Sequence, residues 1–313
     1  MRSFKNIINE EVFNPYLESK IKEISPLFES GILDSNSFFD SLAENSGSII
    51  KMPYFADLYG SDEVITPNKP LAPVKMPTAN QDVAVLLSRG KAWSQNDLMA
   101  DLASADPVKA IGNTAAKFWA EKLQRTFQSM LKGIFAVSSM STKTLDITGQ
   151  LDEKAKFSCE SFIDAMEKMG DAKDNITAVV MHSAVEAALQ KNKLITTVPE
   201  NGKIKKYFMG KYVITDDKCP ISAEKFTTYL LGKGAFAYGN AAVPHQCETV
   251  RDSLSGNDIL INRKNYLMHP RGIKWTGSAS AISPSNTDLE MSKNWEKAYD
   301  DKAIRIVKFV HKI

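Results

Sequence analysis

Residues 106–135 read DPVKAIGNTAAKFWAEKLQRTFQSMLKGIF. Asp106-Pro107 offers an N-cap followed by proline at the first helical position, where the missing N–H is no loss. Ile111, Ala115, Phe118 with Trp119, Leu123, Phe127, Met130 and Ile134 then recur at steps of three and four, an unbroken apolar stripe. Lys109, Lys117, Lys122, Arg125 and Lys132 fall largely off it. At 1.5 Å per residue the predicted helix is roughly 45 Å long, several times the usual three turns. A helix of that length spans the whole folded unit as a beam, and the rest of the chain must be arranged around it.

On its N-terminal side, residues 53–77 hold Pro53, Pro67, Pro70, Pro73 and Pro77, five of the 13 prolines. That density excludes a helix and a central strand. The reading is an extended excursion, a two-stranded loop closing near Asp82–Leu87. A lone ribbon is barely stable in water, so it is expected to pack on a neighbouring copy. Further upstream, Leu17, Ile21 and Ile24 fall at helical spacing. Ser25-Pro26 opens a short helix that Gly31 can stop, and Phe38, Phe39 and Leu42 give a third small anchor. Pieces this short are marginal alone. They too are expected to find their partners outside their own unit.

On the C-terminal side, helical and strand patterns mix. Phe162, Ala165 and Met166 suggest a helix ending near Gly170. Residues 176–181 (ITAVVM) read as a buried strand and 183–191 as a helix. Asn201-Gly202 marks a hairpin between 194–198 and 204–209. Tyr212–Ile214 runs as a strand into the turn at Asp216-Asp217. Residues 226–231, 249–268 and 303–310 are further strand regions, with one helix over about Asp288 to Tyr299. The class is α+β, without a βαβ rhythm or an internal repeat.

Composition narrows the function. The chain has 313 residues, 43% hydrophobic and 24% charged, with a net charge of +2. That is globular composition, and no run of basic residues marks a nucleic-acid or lipid surface. Cys159, Cys219 and Cys247 are sparse and unpaired in sequence, as in a reducing compartment. No stretch approaches a membrane span, and the N-terminus lacks a signal peptide's apolar run. A soluble intracellular setting is expected.

No catalytic, cofactor or metal constellation emerges. His182-Ser183 are adjacent, and neighbours on a strand point to opposite faces, so they make no nucleophile–base pair. Gly232-Lys-Gly234-Ala-Phe-Ala237 imitates a dinucleotide fingerprint, but Tyr238-Gly239-Asn240 and Pro244 break the helix it requires. A turn needing close packing is expected instead. Asp216-Asp217 lacks further carboxylates, His245 and Cys247 lack a second ligand pair, and His269 and His311 stand isolated in sequence. No catalytic, cofactor-binding or metal residue is expected.

Taken together, the sequence resembles the major capsid proteins of tailed bacteriophages with the Hong Kong 97-type fold. The likeness runs through Asn14-Pro15-Tyr16, Met52-Pro53-Tyr54-Phe55, Arg89-Gly90-Lys91-Ala92-Trp93, Asn96-Asp97-Leu98 and Asp106-Pro107. It continues through Phe118-Trp119, Leu131 to Phe135, Met181-His182-Ser183, Thr215-Asp216-Asp217 and Gly232 to Gly239. Arg251-Asp252, His269-Pro270-Arg-Gly272-Ile273, Ser283-Pro284-Ser-Asn286 and Asn294-Trp295-Glu296 complete it, in order along nearly the whole chain.

The resemblance implies an N-arm over 1–50, an extended loop over 51–98 and a peripheral domain over 99–140 and 246–313. The helix of residues 106–135 would be its spine, and 141–245 an axial domain. It implies hexameric and pentameric capsomers forming an icosahedral shell around double-stranded DNA, assembled in the bacterial cytoplasm. No acidic helical segment precedes the N-arm in this sequence, so a separate scaffolding protein is expected, with a portal. Packaged DNA would be touched weakly and non-specifically, and no membrane is involved. The rival readings are an encapsulin-like nanocompartment shell of the same fold and an unrecognised soluble enzyme.

Overall fold

A computed structural model describes residues 10–45, 47–54, 62, 65, 80–96, 107–200, 202–277 and 283–313. The chain enters through α1 (Glu10–Ile24), α2 (Pro26–Glu29), β1 (Leu33–Ser35) and α3 (Ser37–Asn45). The expectation that these pieces lack a core of their own is corrected. Phe13, Leu17, Ile21, Leu27, Ile32 and Leu33 are buried in one cluster with the long helix, α4 (Pro107–Ile134). The cause is close helix–helix approach: a Cβ at Gly112 would come within 2.9 Å of the Tyr16 ring. The Tyr16 hydroxyl also donates to Asn113 Oδ1 at 3.0 Å. Ser25 sits at the N-cap of α2 but makes no side-chain cap bond, and Gly31 ends the segment at φ +71°. Asp106 lies outside the described residues.

The stripe of α4 folds as read. Ala115, Trp119, Leu123, Phe127, Met130 and Ile134 are all buried. Gly133, near its end, is required by packing. A Cβ there would lie 2.0 Å from the Leu289 carbonyl oxygen and 2.7 Å from Trp295 Nε1. The absent side chain lets α7 (Asn286–Glu290) and Trp295 close against the helix. Labels α5 (Cys159–Met166) and α6 (Ser183–Lys191) belong to the intervening segment.

Two sheets flank the beam. In the first, β2 (Ile49–Tyr54) pairs with β3 (Asn80–Asn96), β3 with β13 (Asn257–Pro270), and β13 with β11 (Phe236–Ala241) and β12 (Cys247–Asp252). β1 closes the far side, parallel to β11. The second sheet runs β4 (Thr144–Asp146), β16 (Ile306–His311), β10 (Lys225–Gly232), β5 (Ile176–Met181), β8 (Lys211–Thr215), β7 (Lys203–Phe208) and β6 (Ile195–Glu200), with the short β9 (Ile221–Ser222) paired to β10. The predicted hairpin is β6–β7, with Glu200 opposite Lys203. The segment 167–175 after α5 turns at Gly170, φ +60°.

The sheets divide the chain differently from the boundary at 245/246. β11 already belongs to the first sheet, and the last strand, β16, returns to the second, where Val307 and Phe309 fill its core. Residues 80–96 form one long strand, β3, paired with β2 at one end and β13 at the other. The expected helix over Asp288 to Tyr299 is also corrected. It stops at Glu290, and Trp295–Lys297 forms β15, paired with β14 (Ile273–Trp275). Trp295 Nε1 donates to the Leu289 carbonyl at 2.8 Å. That bond and the edge-on contact of Trp295 with Trp275 hold the chain in a turn that helix propensity alone does not reveal.

Candidate assembly surface

His182, Asp216 and Asp217 are engaged in holding the fold. His182 is not on the strand but caps α6, its Nδ1 accepting from the Ala184 N–H at 3.0 Å. Asp217 accepts from the Ser183 N–H at 3.3 Å, and hydrogen bonds from Ser183 hold its carboxyl below the ordinary range. Asp216 is buried and accepts from Gln128 Nε2 of α4 at 2.8 Å and from the Lys218 N–H at 2.9 Å. It ties the second sheet to the beam.

His245 is exposed at φ +56° while Cys247 is buried, so the two do not share a face. Burial pushes the Cys219 thiol upward, away from thiolate chemistry. Gly232 to Ala237 is a tight turn into β11, as read. A Cβ at Gly232 would meet the Asn175 carbonyl oxygen at 2.9 Å. No group of three metal-ligating side chains converges among the described residues.

His269 and His311 are not isolated in space. His311 Nε2 lies 2.8 Å from Thr228 Oγ1 on the neighbouring strand, and burial lowers its pKa to about 4. His269 Nε2 lies 3.0 Å from Asp82 Oδ1, and the Gly272 N–H donates to Asp82 Oδ2 at 3.3 Å. Burial would raise this carboxyl. The His269 imidazole and the bonds from Gly272 and Tyr299 outweigh it and hold the pKa below the ordinary carboxylate value. Sequence reasoning missed this cluster, since 187 residues separate its two partners.

Asp82 marks the root of the β2–β3 ribbon. The β3–β13 ladder ends at Leu86 opposite Leu267. Beyond it β3 turns to β2, with Met52 opposite Asp82 and Tyr54 opposite Asn80. The outer edge of β2 has no partner strand among the described residues, and Ile49 is half exposed on it. Such an edge offers unpaired backbone groups to another chain. Most of the proline-rich segment lies outside the described residues. Leu254, fully exposed at the β12–β13 tip, and Ile204 of β7 are further apolar points on the surface.

A model of the Gp13-like family, described as major capsid protein 13-like, matches residues 89–304. The major capsid protein of Bacillus phage SPP1 is 39% identical over 318 residues, covering 98% of this chain and 97% of that one. The chain belongs to the Gp13-like major capsid protein family. This capsid protein is therefore a structural component of a phage virion, built to associate with copies of itself.

The solved capsid of Ralstonia phage GP4 superposes with a TM-score of 0.57 at 7% identity, covering 91% of this chain and 88% of that one. Cyanophage Pam1 capsid gives 0.54 at 11%, covering 90% and 88%. The α+β, Hong Kong 97-type architecture follows. An encapsulin from Synechococcus elongatus also superposes, at 0.52 and 10% identity over 92% and 88%. That likeness shows the shared fold alone, and the phage relative decides between the two kinds of shell.

Proposed function

We propose that this capsid protein assembles through hexameric and pentameric capsomers into an icosahedral shell around a double-stranded DNA genome. The supporting observation is the end-to-end identity of 39% with a phage capsid protein. Assembly takes place in the host cytoplasm with a separate scaffolding protein and a portal. The proline-rich excursion of one subunit bridges to the next, its root fixed by Asp82. Contact with packaged DNA is weak and non-specific, consistent with a net charge of +2.

Residues 1–50 act as the N-arm, 51–98 as the extended loop with its second strand continuing into the peripheral sheet, and α4 as the spine. The peripheral domain takes 99–140 and most of 246–313, and the axial domain 141–245 joined by β16. No side chain turns over a substrate. Ala replacement of His182, Asp216 or Asp217 affects folding or assembly only. Negative-stain microscopy of the chain co-expressed with its scaffolding partner tests the proposal. Closed shells are expected; a discrete small oligomer with a saturable pocket would contradict it.

A further inference from the structure

The N-terminal helices sit on polar ground. Lys264 of β13 has a side chain 2% exposed, and its Nζ lies 2.6 and 2.8 Å from the two carboxylate oxygens of Glu18 on α1. Burial pushes the Lys264 ammonium below its ordinary value despite the attraction of Glu18, and Lys22 adds repulsion. The same seat buries polar atoms that have no partner among the described residues: Asn14 Oδ1 on α1, Ser25 Oγ before α2, and the Tyr238 hydroxyl on β11. The Tyr238 ring lies 4.8 Å from that of Phe28 on α2. Burial, and then the Glu18 charge, push its phenol well above the ordinary value.

Phe13, Leu17, Ile21 and Leu27 hold this segment down by burying apolar area. The ion pair adds little, since the cost of desolvating two charges roughly cancels their attraction, and each orphan atom opposes seating. Lifting α1 and α2 returns these groups to water together, so opening costs less than unfolding. Gly31, at φ +71°, supplies the hinge. Its carbonyl accepts from the Gly234 N–H at 2.9 Å, and β1 beyond it stays paired with β11. The segment also holds the second sheet. Lys203 Nζ donates to the Glu23 carbonyl at 2.7 Å, Lys205 Nζ lies 3.4 Å from Glu29 Oε1, and the Tyr212 hydroxyl donates to Glu29 Oε2 at 3.4 Å. We infer that α1 and α2 form a releasable strap, which joins the β6–β7 hairpin of the second sheet to β13 of the first and opens as a unit before the rest of the fold. When it lifts, the hairpin loses these three contacts and is loosened with it. The strap stands independently of the capsomer reading above.

Hydrogen exchange of the full chain before assembly, read by mass spectrometry on its peptides, tests this. Residues 10–29 and 203–212 should exchange at least about a hundredfold faster than α4. Glu18→Leu with Lys264→Met replaces the pair by apolar side chains and should slow exchange in both segments at least about fivefold. Cutting the other end with K203A/K205A should speed exchange in 203–212 and in 10–29 while α4 and β16 keep their protection. This second variant decides the matter alone if the first does not fold. Exchange of 10–29 in step with α4 would overturn the strap by making the segment part of the core. Unchanged or faster exchange in E18L/K264M would overturn it too, because the pair would then be holding the segment down. A hairpin whose protection follows neither variant would overturn the joining of the two sheets.

Discussion

His269 Nε2 lies 3.0 Å from Asp82 Oδ1, with each side chain 1% exposed, at the place where the ribbon leaves the sheet. The carboxylate accepts, so the imidazole donates through Nε2. Removing one partner strands the other in a dry site, and Asp82→Ala should destabilise the subunit by about 3 kcal/mol. A carboxyl held below its ordinary value stabilises the fold fully above that value, near 3.9, and loses the contribution as pH falls through the depressed one. Denaturant titrations below pH 4 should therefore show a loss in the natural chain that Asp82→Asn lacks.

His311 acts in a higher pH window. Its pKa falls from 6.5 to about 4 because burial disfavours the imidazolium. The unfolded chain takes up the proton first, so stability is complete above pH 6.5 and declines between 6.5 and 4. The shift corresponds to a decline on the order of 3 kcal/mol. His311→Phe should flatten that window in urea unfolding, while losing the hydrogen bond with Thr228 at every pH.

Gly133→Ala sets two effects against each other. Helix propensity gains about 1 kcal/mol. The new methyl, however, would stand 2.0 Å from the Leu289 carbonyl, and overpacking of a rigid site costs about 1–3 kcal/mol. Backbone on the far side cannot rotate away, so the clash wins. Thermal melting should show a net loss, with near-ultraviolet dichroism changing as Trp295 is displaced.

The parts of this fold legible in sequence are those whose signals are local. The α4 stripe repeats over eight turns, Asn201-Gly202 sits inside its own hairpin, and Gly232 to Ala237 carries its turn residues with it. What the sequence hid depends on partners far along the chain. Leu17 and Ile21 could be read as a helix face but not as facing α4. Lys264, buried on β13, is tied to Glu18 at 2.6 Å across 246 residues. Asp288 to Tyr299 has a helical pattern, but Trp295 is captured by Trp275 and the Leu289 carbonyl. The meeting of Arg89 and Lys91 on β3 with Lys122 and Arg125 on α4 around one groove was invisible for the same reason.

The bridge between subunits is the central claim, and replacing residues 55–79 with a two-residue Asn-Gly turn addresses it directly. Tyr54 and Asn80 are already paired, so such a turn can close the hairpin without moving the ribbon. The shortened chain should melt cooperatively, within about 1 kcal/mol of the natural subunit, because the β2–β3 pairing up to Tyr54 and Asn80 is kept. Sedimentation velocity of the two chains, each co-expressed with the scaffolding partner, then gives the answer. The account predicts closed shells from the natural chain and only capsomers or free subunits from the shortened one; normal shells from the shortened chain would contradict it.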